Sequence, residues 1–102
     1  MSSRQRLPNR RASTSFTFQV GGLGYTCTYS ELGGQVLEVF IQNHRANSSA
    51  DVNARDGAIA ASLALQFGCP LETLRRALCR DSQGRATGPL GAALDAIAER
   101  EP

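Results

Sequence analysis

The glycine pair Gly21-Gly22 constrains the fold more than any other feature, because segments of alternating apolar residues flank it on both sides. A primed two-residue turn needs positive φ at both positions, which glycine adopts freely, so the pair predicts a β-hairpin. In that register the apolar side chains of both strands lie on one face. The predicted pairs are Val20 with Leu23, Phe18 with Tyr25, and Phe16 with Cys27. The glycines do not indicate a phosphate loop, since a strand rather than a helix follows them.

A third strand is predicted over Gln35–Asn43, where apolar residues alternate again. They are Leu37, Val39 and Ile41. We predict a three-residue loop, 32–34, because it keeps the apolar faces of the second and third strands together. The pairs expected from this loop are Glu31 with Gln35 and Tyr29 with Leu37.

A long helix is predicted from Ser48 or Ser49, either of which can cap it, to about Phe67, before Gly68 and Pro70. Its main apolar stripe and a second apolar strip lie on nearly opposite sides. The stripe consists of Val52, Ile59, Leu63 and Phe67, and the strip of Ala58, Ala61 and Leu65. One sheet face cannot cover both, so we expect this helix to be central in the fold or to contribute to a subunit interface.

Two shorter helices are predicted to begin at Pro70 and Pro89, since proline suits the first turn of a helix. Their inward residues are Leu71, Leu74 and Leu78 in the first, and Leu90, Leu94 and Ile97 in the second. A polar loop, 81–88, connects them. The predicted fold is α+β, a three-stranded antiparallel meander followed by three helices packed on one face (βββααα). Residues 14–100 form this single domain, and residues 1–13 form a flexible basic arm.

The charge, the apolar runs and the cysteines limit the classes of protein to which this chain can belong. The formal net charge of +2 is too small to imply a nucleic-acid partner by itself, although four arginines lie within residues 1–11 without an acid. No apolar run approaches the roughly 18 residues of a membrane span, and no hydrophobic segment of a secretory signal follows the basic N-terminus. Three cysteines without close pairing argue against a disulfide framework and favour a reduced, cytoplasmic protein.

No residue pattern indicates a catalytic centre or a metal site, and we expect neither. His44 is the only histidine, and no cysteine or carboxylate lies near it at metal-ligand spacing. Cys27 falls on the core-facing side of a strand and is interpreted as a small apolar residue. Cys69 begins the second helix, where a thiol pKa can fall, but burial is the commoner role of a free cysteine, and the same holds for Cys79.

The best candidate for a binding site is a set of arginines around the polar loop. Guanidinium groups suit phosphates, including those of a nucleotide, and polar loops on a packed scaffold concentrate binding residues. With the basic arm and the histidine, the candidate residues for binding a ligand or partner are Arg10, Arg11, His44, Arg76, Arg80, Asp81 and Arg85. The same arginines are equally typical of a solvated helix face or of surface salt bridges.

Five segments carry a resemblance to a known family. They are 7–11 (LPNRR), 37–41 (LEVFI), 43–45 (NHR), 62–72 (SLALQFGCPLE) and 88–91 (GPLG). Over about residues 7–97 the chain resembles the TSCPD domain family. That domain is found at the C-terminal end of adenosylcobalamin-dependent ribonucleotide reductases and in short stand-alone homologues.

The resemblance implies a non-catalytic accessory, binding or regulatory module associated with ribonucleotide reductase and deoxyribonucleotide synthesis. The family reductases use adenosylcobalamin, but this chain is too small for their machinery, so no cofactor is expected on it. The expected partners are a ribonucleotide reductase or a nucleotide, and a second copy of the chain, because a three-stranded sheet leaves open edges. Two alternatives stay open: a detached subunit that completes a ribonucleoside-diphosphate reductase, and a nucleic-acid-binding protein that uses the basic arm.

Overall fold

Pairs of glycines make both turns of a three-stranded antiparallel sheet. The computed structural model describes residues 3–100, with the sheet formed by β1 (Thr14–Val20), β2 (Leu23–Leu32) and β3 (Gln35–Asn43) in the order β1-β2-β3. The two glycines of each turn have φ angles of 59° and 79° in the first and 61° and 79° in the second. These positive angles are those of a primed turn, whose twist matches that of the strands. The predicted meander is confirmed.

The register of the first hairpin is as predicted, whereas that of the second is not. Val20 pairs with Leu23, as the double-glycine turn requires. The second turn has two residues, not three, so Leu32 pairs with Gln35. The register then shifts between Ser30 and Glu31 of β2. Leu37 of β3 consequently has no partner on β2, and Tyr29 lies opposite Val39. This β-bulge places the apolar residues of the two strands on the same side of the sheet. The three-residue loop was expected to have the same effect.

Three helices follow the sheet, and the α+β fold class is confirmed. They are α1 (Ser49–Gln66), α2 (Leu71–Ala77) and α3 (Pro89–Arg100). The Ser48 hydroxyl caps α1 by accepting a hydrogen bond from the Asp51 amide at 3.1 Å. The helix ends at Gln66, and Gly68, two residues further on, has a φ of 105° that terminates it. None of the helices among residues 3–100 combines the length and the apolar character that crossing a bilayer requires.

The hydrophobic core lies between the apolar face of the sheet and the helices. Its five largest fully buried side chains are Ile41, Leu94, Ile97, Val39 and Cys27. Aromatic rings of β1 and β2 continue it, with Phe18 stacked on Tyr25 at a centroid distance of 5.4 Å. Arg100 at the end of α3 closes this side, since its guanidinium carbon lies 4.4 Å from the centre of the Phe16 ring.

Polar side chains of α1 bond to the outer edge of β3. The Ser62 hydroxyl accepts from the Val39 amide and donates to the Val39 carbonyl, both at 2.9 Å. Gln66 Nε2 donates to the carbonyl of the bulged residue Leu37 at 3.0 Å. At the other end of β3, Asp51 Oδ1 accepts from a strand amide at 2.9 Å. These bonds take the place of a fourth strand, so this edge of the sheet is closed.

This docking selects the second of the two apolar strips of α1 for the core. The buried apolar residues of the helix are Ala54, Ala58, Ala61 and Leu65. The predicted main stripe is exposed instead, at 46% for Val52, 51% for Ile59, 40% for Leu63 and 46% for Phe67. The expectation of a central helix is therefore wrong. Small alanines let the helix approach the strand closely enough for its polar side chains to bond to the strand backbone.

Within the predicted arm, residues 3–13 form no helix or strand but contact the folded domain. Arg4 Nε donates to Gln66 Oε1 at 2.6 Å, and the Gln5 amide donates to the Gln66 carbonyl at 2.7 Å. Gln66 thus joins the arm to β3. Residues 1 and 2 of the arm, like 101 and 102, lie outside the described residues.

Candidate functional site

Asp95 of α3 organises the arginines around the predicted loop. Arg80 donates two hydrogen bonds to its carboxylate, NH1 to Oδ2 and NH2 to Oδ1, both at 2.8 Å. Arg75 Nε donates to Oδ1 at 2.9 Å. The hydrogen bond from Arg80 is the main cause that lowers the pKa of Asp95, and the bond from Arg75 adds to it although burial acts in the opposite direction. Both arginines hold their protons more tightly for the same reason, with raised pKa values. This cluster ties α2 to α3.

The remaining donors of Arg80 build the loop between α2 and α3. Its NH1 donates to the Gly84 carbonyl at 3.0 Å and its NH2 to the Arg75 carbonyl at 3.1 Å. Asp81 Oδ1 accepts from the amides of Gln83 and Arg85, both at 2.9 Å. Of the predicted binding residues, Arg80 and Asp81 therefore have their polar groups engaged in holding the loop.

Arg76 and Arg85 are the candidates of this region that remain accessible. The side chain of Arg76 is 80% exposed, with its nearest carboxylate, that of Glu72, at 3.4 Å. Arg85 is exposed, and its guanidinium makes no hydrogen bond or ion pair within residues 3–100. The end of α2 and the loop thus each present one cationic side chain, and hydrogen bonds from Arg80 and to Asp81 hold the loop backbone.

Of the two candidate binding residues in the arm, Arg11 is bonded to the domain and Arg10 is accessible. Arg11 Nε and NH2 donate to the two carboxylate oxygens of Glu38 at 2.8 Å, a bidentate pair across the open face of the sheet. Its NH1 donates to the Pro8 carbonyl at 2.9 Å. Arg10 is exposed, and no bond of its side chain lies within the described part of the chain. With Arg4 and Arg11 both bonded to the domain, half of the arginines in the predicted arm are engaged.

His44 packs against the neighbouring strand. Its amide donates to the Gly24 carbonyl at 2.9 Å, and its Nε2 lies 3.1 Å from the hydroxyl oxygen of Thr26. A Cβ added to Gly24 would lie 2.6 Å from His44 Nδ1, so the ring occupies the space that only glycine leaves open. The geometry gives His44 a structural role on the open face of the sheet, at the side remote from the core.

The cysteines offer no shared chemistry. Cys27 is fully buried, and that burial raises its pKa to about 12, which leaves no thiolate at neutral pH. Cys69 is half-buried, with Sγ 3.7 Å from the Pro70 carbonyl, and Cys79 is exposed, contrary to the burial favoured for it. Among residues 3–100, no group of three or more histidine, cysteine, aspartate and glutamate side chains is arranged to hold a metal.

Sequence reasoning missed a cleft of about 300 Å³ where the arm, the β2–β3 turn and the start of α2 meet. Its lining includes the apolar residues Val36 and Leu37 and also Cys69. The other lining residues are Gln5, Glu31, Gly34, Gln35, Leu65, Gly68, Pro70 and Leu71. Periodicity does not reveal such a cleft, because its walls come from three separate segments, at residue 5, within 31–37 and within 65–71. The same holds for Asp95, which lies 15 residues from Arg80 in sequence.

Comparison with known proteins connects this chain to one class of enzyme. The vitamin B12-dependent ribonucleotide reductase of Agrobacterium fabrum (strain C58) is 39% identical to it over 70 residues. The alignment covers 68% of this chain but 6% of the enzyme, so the chain spans only a small part of that relative's length. No family model matches the chain, and no solved structure matches it. The sequence similarity nevertheless links this chain to the vitamin B12-dependent ribonucleotide reductases.

Proposed function

We propose that this chain is a TSCPD-type accessory module that binds a ribonucleotide reductase and takes part in deoxyribonucleotide synthesis without catalysing a reaction itself. The observation that carries this proposal is the 39% identity over 70 residues to a short region of such an enzyme. A cytoplasmic location with reduced thiols accords with that role.

The chemistry of the described residues supports a binding role over a catalytic one. Ribonucleotide reduction needs accessible redox thiols, whereas Cys27 is buried with a raised pKa, and Cys69 and Cys79 lie before and after α2. The carboxylates of Asp51 and Asp95 have lowered pKa values because they accept several hydrogen bonds. Carboxylates that hydrogen bonds keep ionised stabilise a fold and do not exchange protons at neutral pH.

The recognition surface in this proposal is the loop between α2 and α3. Arg85 of this loop and Arg76 near the end of α2 are exposed there, with Arg76 3.4 Å from the Glu72 carboxylate, and Arg80 holds the loop through its bonds to Asp95 and to the Gly84 carbonyl. A rigid loop loses little conformational entropy on binding. Its charge suits an acidic patch on the surface of the reductase.

Isothermal titration of the chain with the Agrobacterium fabrum reductase tests the proposal. We expect measurable heat and a complex whose affinity falls as salt is raised, since exposed charge pairs are screened. The double variant Arg76→Ala/Arg85→Ala should bind roughly tenfold more weakly, a change of about 1.4 kcal/mol. The matched control is Arg45→Ala, which removes an exposed arginine from the β3–α1 connection and should leave the affinity unchanged.

The outcomes separate this proposal from its alternatives. Absence of binding to the reductase at millimolar concentration would remove the proposed role. Binding of nucleotides but not of the enzyme would make the arginine loop a phosphate site. If the chain restores activity to a reductase from which the aligned 70-residue region has been deleted, the detached-subunit reading is the correct one.

A further inference from the structure

The strand β1 forms the open edge of the sheet, since α1 closes the edge at β3. The arm that precedes β1 runs away from this edge: Arg11 bonds to Glu38 of β3 at 2.8 Å, and the Gln5 amide bonds to the end of α1. Within residues 3–100, no hydrogen bond joins the backbone of β1 to anything other than β2. One side of this strand therefore retains backbone groups without a partner in the described chain.

The free backbone groups of β1 belong to alternate residues. The His44 amide donates to the Gly24 carbonyl at 2.9 Å, so Gly24 directs its backbone polar groups toward the β3 side and away from β1. Gln19 lies opposite Gly24 and must therefore direct its own groups away from β2, to the open edge. The same holds for Thr17 and Ser15, because this direction alternates along an antiparallel strand.

The sequence of β1 lacks the features that ordinarily protect an edge strand. Its seven residues, TSFTFQV, include no charged side chain and no proline, and its pairing with β2 contains no bulge. Five of the seven are β-branched or aromatic, the types that favour extended structure. Soluble proteins usually blunt an exposed edge by charge, proline, a bulge or a covering element. A strand without any of these is expected to have another strand as its neighbour.

We propose that β1 pairs antiparallel with β1 of a second copy, so that the two sheets join into one continuous sheet across a two-fold axis at Thr17. In this register Thr17 lies opposite Thr17 of the second copy, and Ser15 lies opposite Gln19 of the second copy. These are the residues whose backbone groups are free, so their pairs would form about six hydrogen bonds. Thr17 is the middle residue of Thr14–Val20, and the register therefore uses the whole strand.

The side chains of β1 complement themselves in the same register, and this selects a second copy as the occupant. On the core side, Phe16 lies opposite Phe18 of the second copy, which covers a ring that is only half-buried in the single chain. On the open face of the sheet, threonine lies opposite threonine at the axis, a favourable cross-strand pair. A two-fold interface requires a surface that matches its own copy in this way.

The charge that contacts β1 from the core side is that of Arg100, whose guanidinium carbon lies 4.4 Å from the centre of the Phe16 ring. Arg100 is exposed, so water and salt screen its repulsion from Arg100 of the second copy. The dimer should therefore persist at high salt, whereas binding to the reductase through the arginine loop should weaken.

Sedimentation equilibrium of the full chain at concentrations from about 1 to 500 µM tests the dimer. The apparent mass should rise with concentration from 10.9 kDa toward twice that value. Amide hydrogen exchange, followed by nuclear magnetic resonance over the same range, locates the interface. The Thr17 amide should exchange at least about tenfold more slowly in the concentrated sample, since it bonds to the second copy there.

Two substitutions of Thr17 oppose the pairing without touching the bonds between β1 and β2. Thr17→Lys places two like charges opposite each other at the axis, and Thr17→Pro removes the free amide at a position where an edge strand tolerates proline. Each should raise the dissociation constant more than about tenfold. The matched control is Gln42→Lys, which adds the same charge at an exposed position of β3 and should dimerise like the parent chain.

Three results would overturn the proposal. They are a parent chain that stays monomeric throughout the range, a dimer that persists in both Thr17 variants, and a dimer in which the Thr17 amide exchanges as fast as in the monomer. If the parent is monomeric and Thr17→Lys weakens its binding to the reductase, the edge receives a strand of the enzyme and the homodimer is wrong. The titration of the Arg76 and Arg85 variant is independent of all these outcomes.

Discussion

The hydroxyl of Ser62 binds both backbone polar atoms of Val39, the amide and the carbonyl, at 2.9 Å each. One side chain of a helix thereby supplies the two hydrogen bonds that a neighbouring strand would otherwise provide. The contact is buried, so water does not compete for these groups. It fixes which side of α1 faces the sheet and which side faces solvent.

Replacing Ser62 by alanine should destabilise the protein by about 2 kcal/mol, because a buried amide and carbonyl lose their partner. Urea unfolding followed by circular dichroism measures the loss. Ser82→Ala, in the exposed part of the α2–α3 loop, is the control and should change the free energy of unfolding by less than about 0.5 kcal/mol. Equal stability of the two variants would show that the Ser62 bonds contribute nothing.

The orientation of α1 could not be predicted from apolar periodicity alone. The larger side chains lie on the outward stripe, so size and hydropathy favour burying the wrong side. The signal for the correct side is polar: Asp51, Ser62 and Gln66 recur on the same face as the alanines. That signal becomes readable only once an unpaired strand edge is known to lie beside the helix, because polar residues on a helix ordinarily indicate solvent.

Most of the sheet can be predicted, because turn glycines and the alternation of apolar residues are features of short sequence segments. The turn at Gly21-Gly22 and the strand alternation specify the first hairpin completely. The second turn was assigned one residue too many, since the sequence gives no sign of the bulge at Leu37 that corrects the alternation. That bulge also directs the Leu37 carbonyl toward Gln66, a long-range contact invisible to local rules.

The stability of the protein should fall in acid because of Asp51. Hydrogen bonds from the amides of Asn47 and Asn43 hold the pKa of this carboxyl below its ordinary value of 3.8. A carboxyl whose pKa is lower in the folded than in the unfolded protein stabilises the fold at pH values above its unfolded-state pKa. This stabilisation is lost as the pH falls through its folded-state pKa. The free energy of unfolding should thus be nearly constant from pH 7 to 5 and decrease below about pH 4.

Asp51→Asn tests the source of this acid sensitivity. The variant should be less stable than the parent at pH 7, since a carboxamide oxygen accepts these bonds less strongly, and it should lose less stability between pH 5 and 3. Asp56→Asn on the exposed side of the same helix should retain the acid sensitivity of the parent. A parental pH profile in Asp51→Asn would assign the effect to other carboxylates.

The Asp95 cluster should contribute more to stability than the exposed pair next to it. Asp95→Ala removes three hydrogen bonds from arginines, and we expect a loss of roughly 1–2 kcal/mol together with faster exchange of the loop amides. Glu72→Ala removes another partner of Arg75, but one whose side chain is 57% exposed, so the loss should stay below about 0.5 kcal/mol. Losses of equal size would contradict the cluster's role in joining α2 to α3.

The three thiols should react at clearly different rates. At pH 8, iodoacetamide should label Cys79 first and Cys69 more slowly, while Cys27 stays unlabelled because it is buried and its pKa is raised to about 12. Mass spectrometry of the labelled peptides gives the order, and denaturant should make all three react. Early labelling of Cys27 in the native protein would mean that the core is open to solvent.

Hydrogen exchange of the Val39 amide, followed by nuclear magnetic resonance, tests the closure of the β3 edge by α1 most directly. If Ser62 covers this edge, the Val39 amide of the parent chain exchanges only through global unfolding, and Ser62→Ala accelerates it beyond the effect of lower stability. Rapid exchange of Val39 in the parent chain, at the rate of an open strand edge, would contradict the position of α1 and with it the exposure of its apolar stripe.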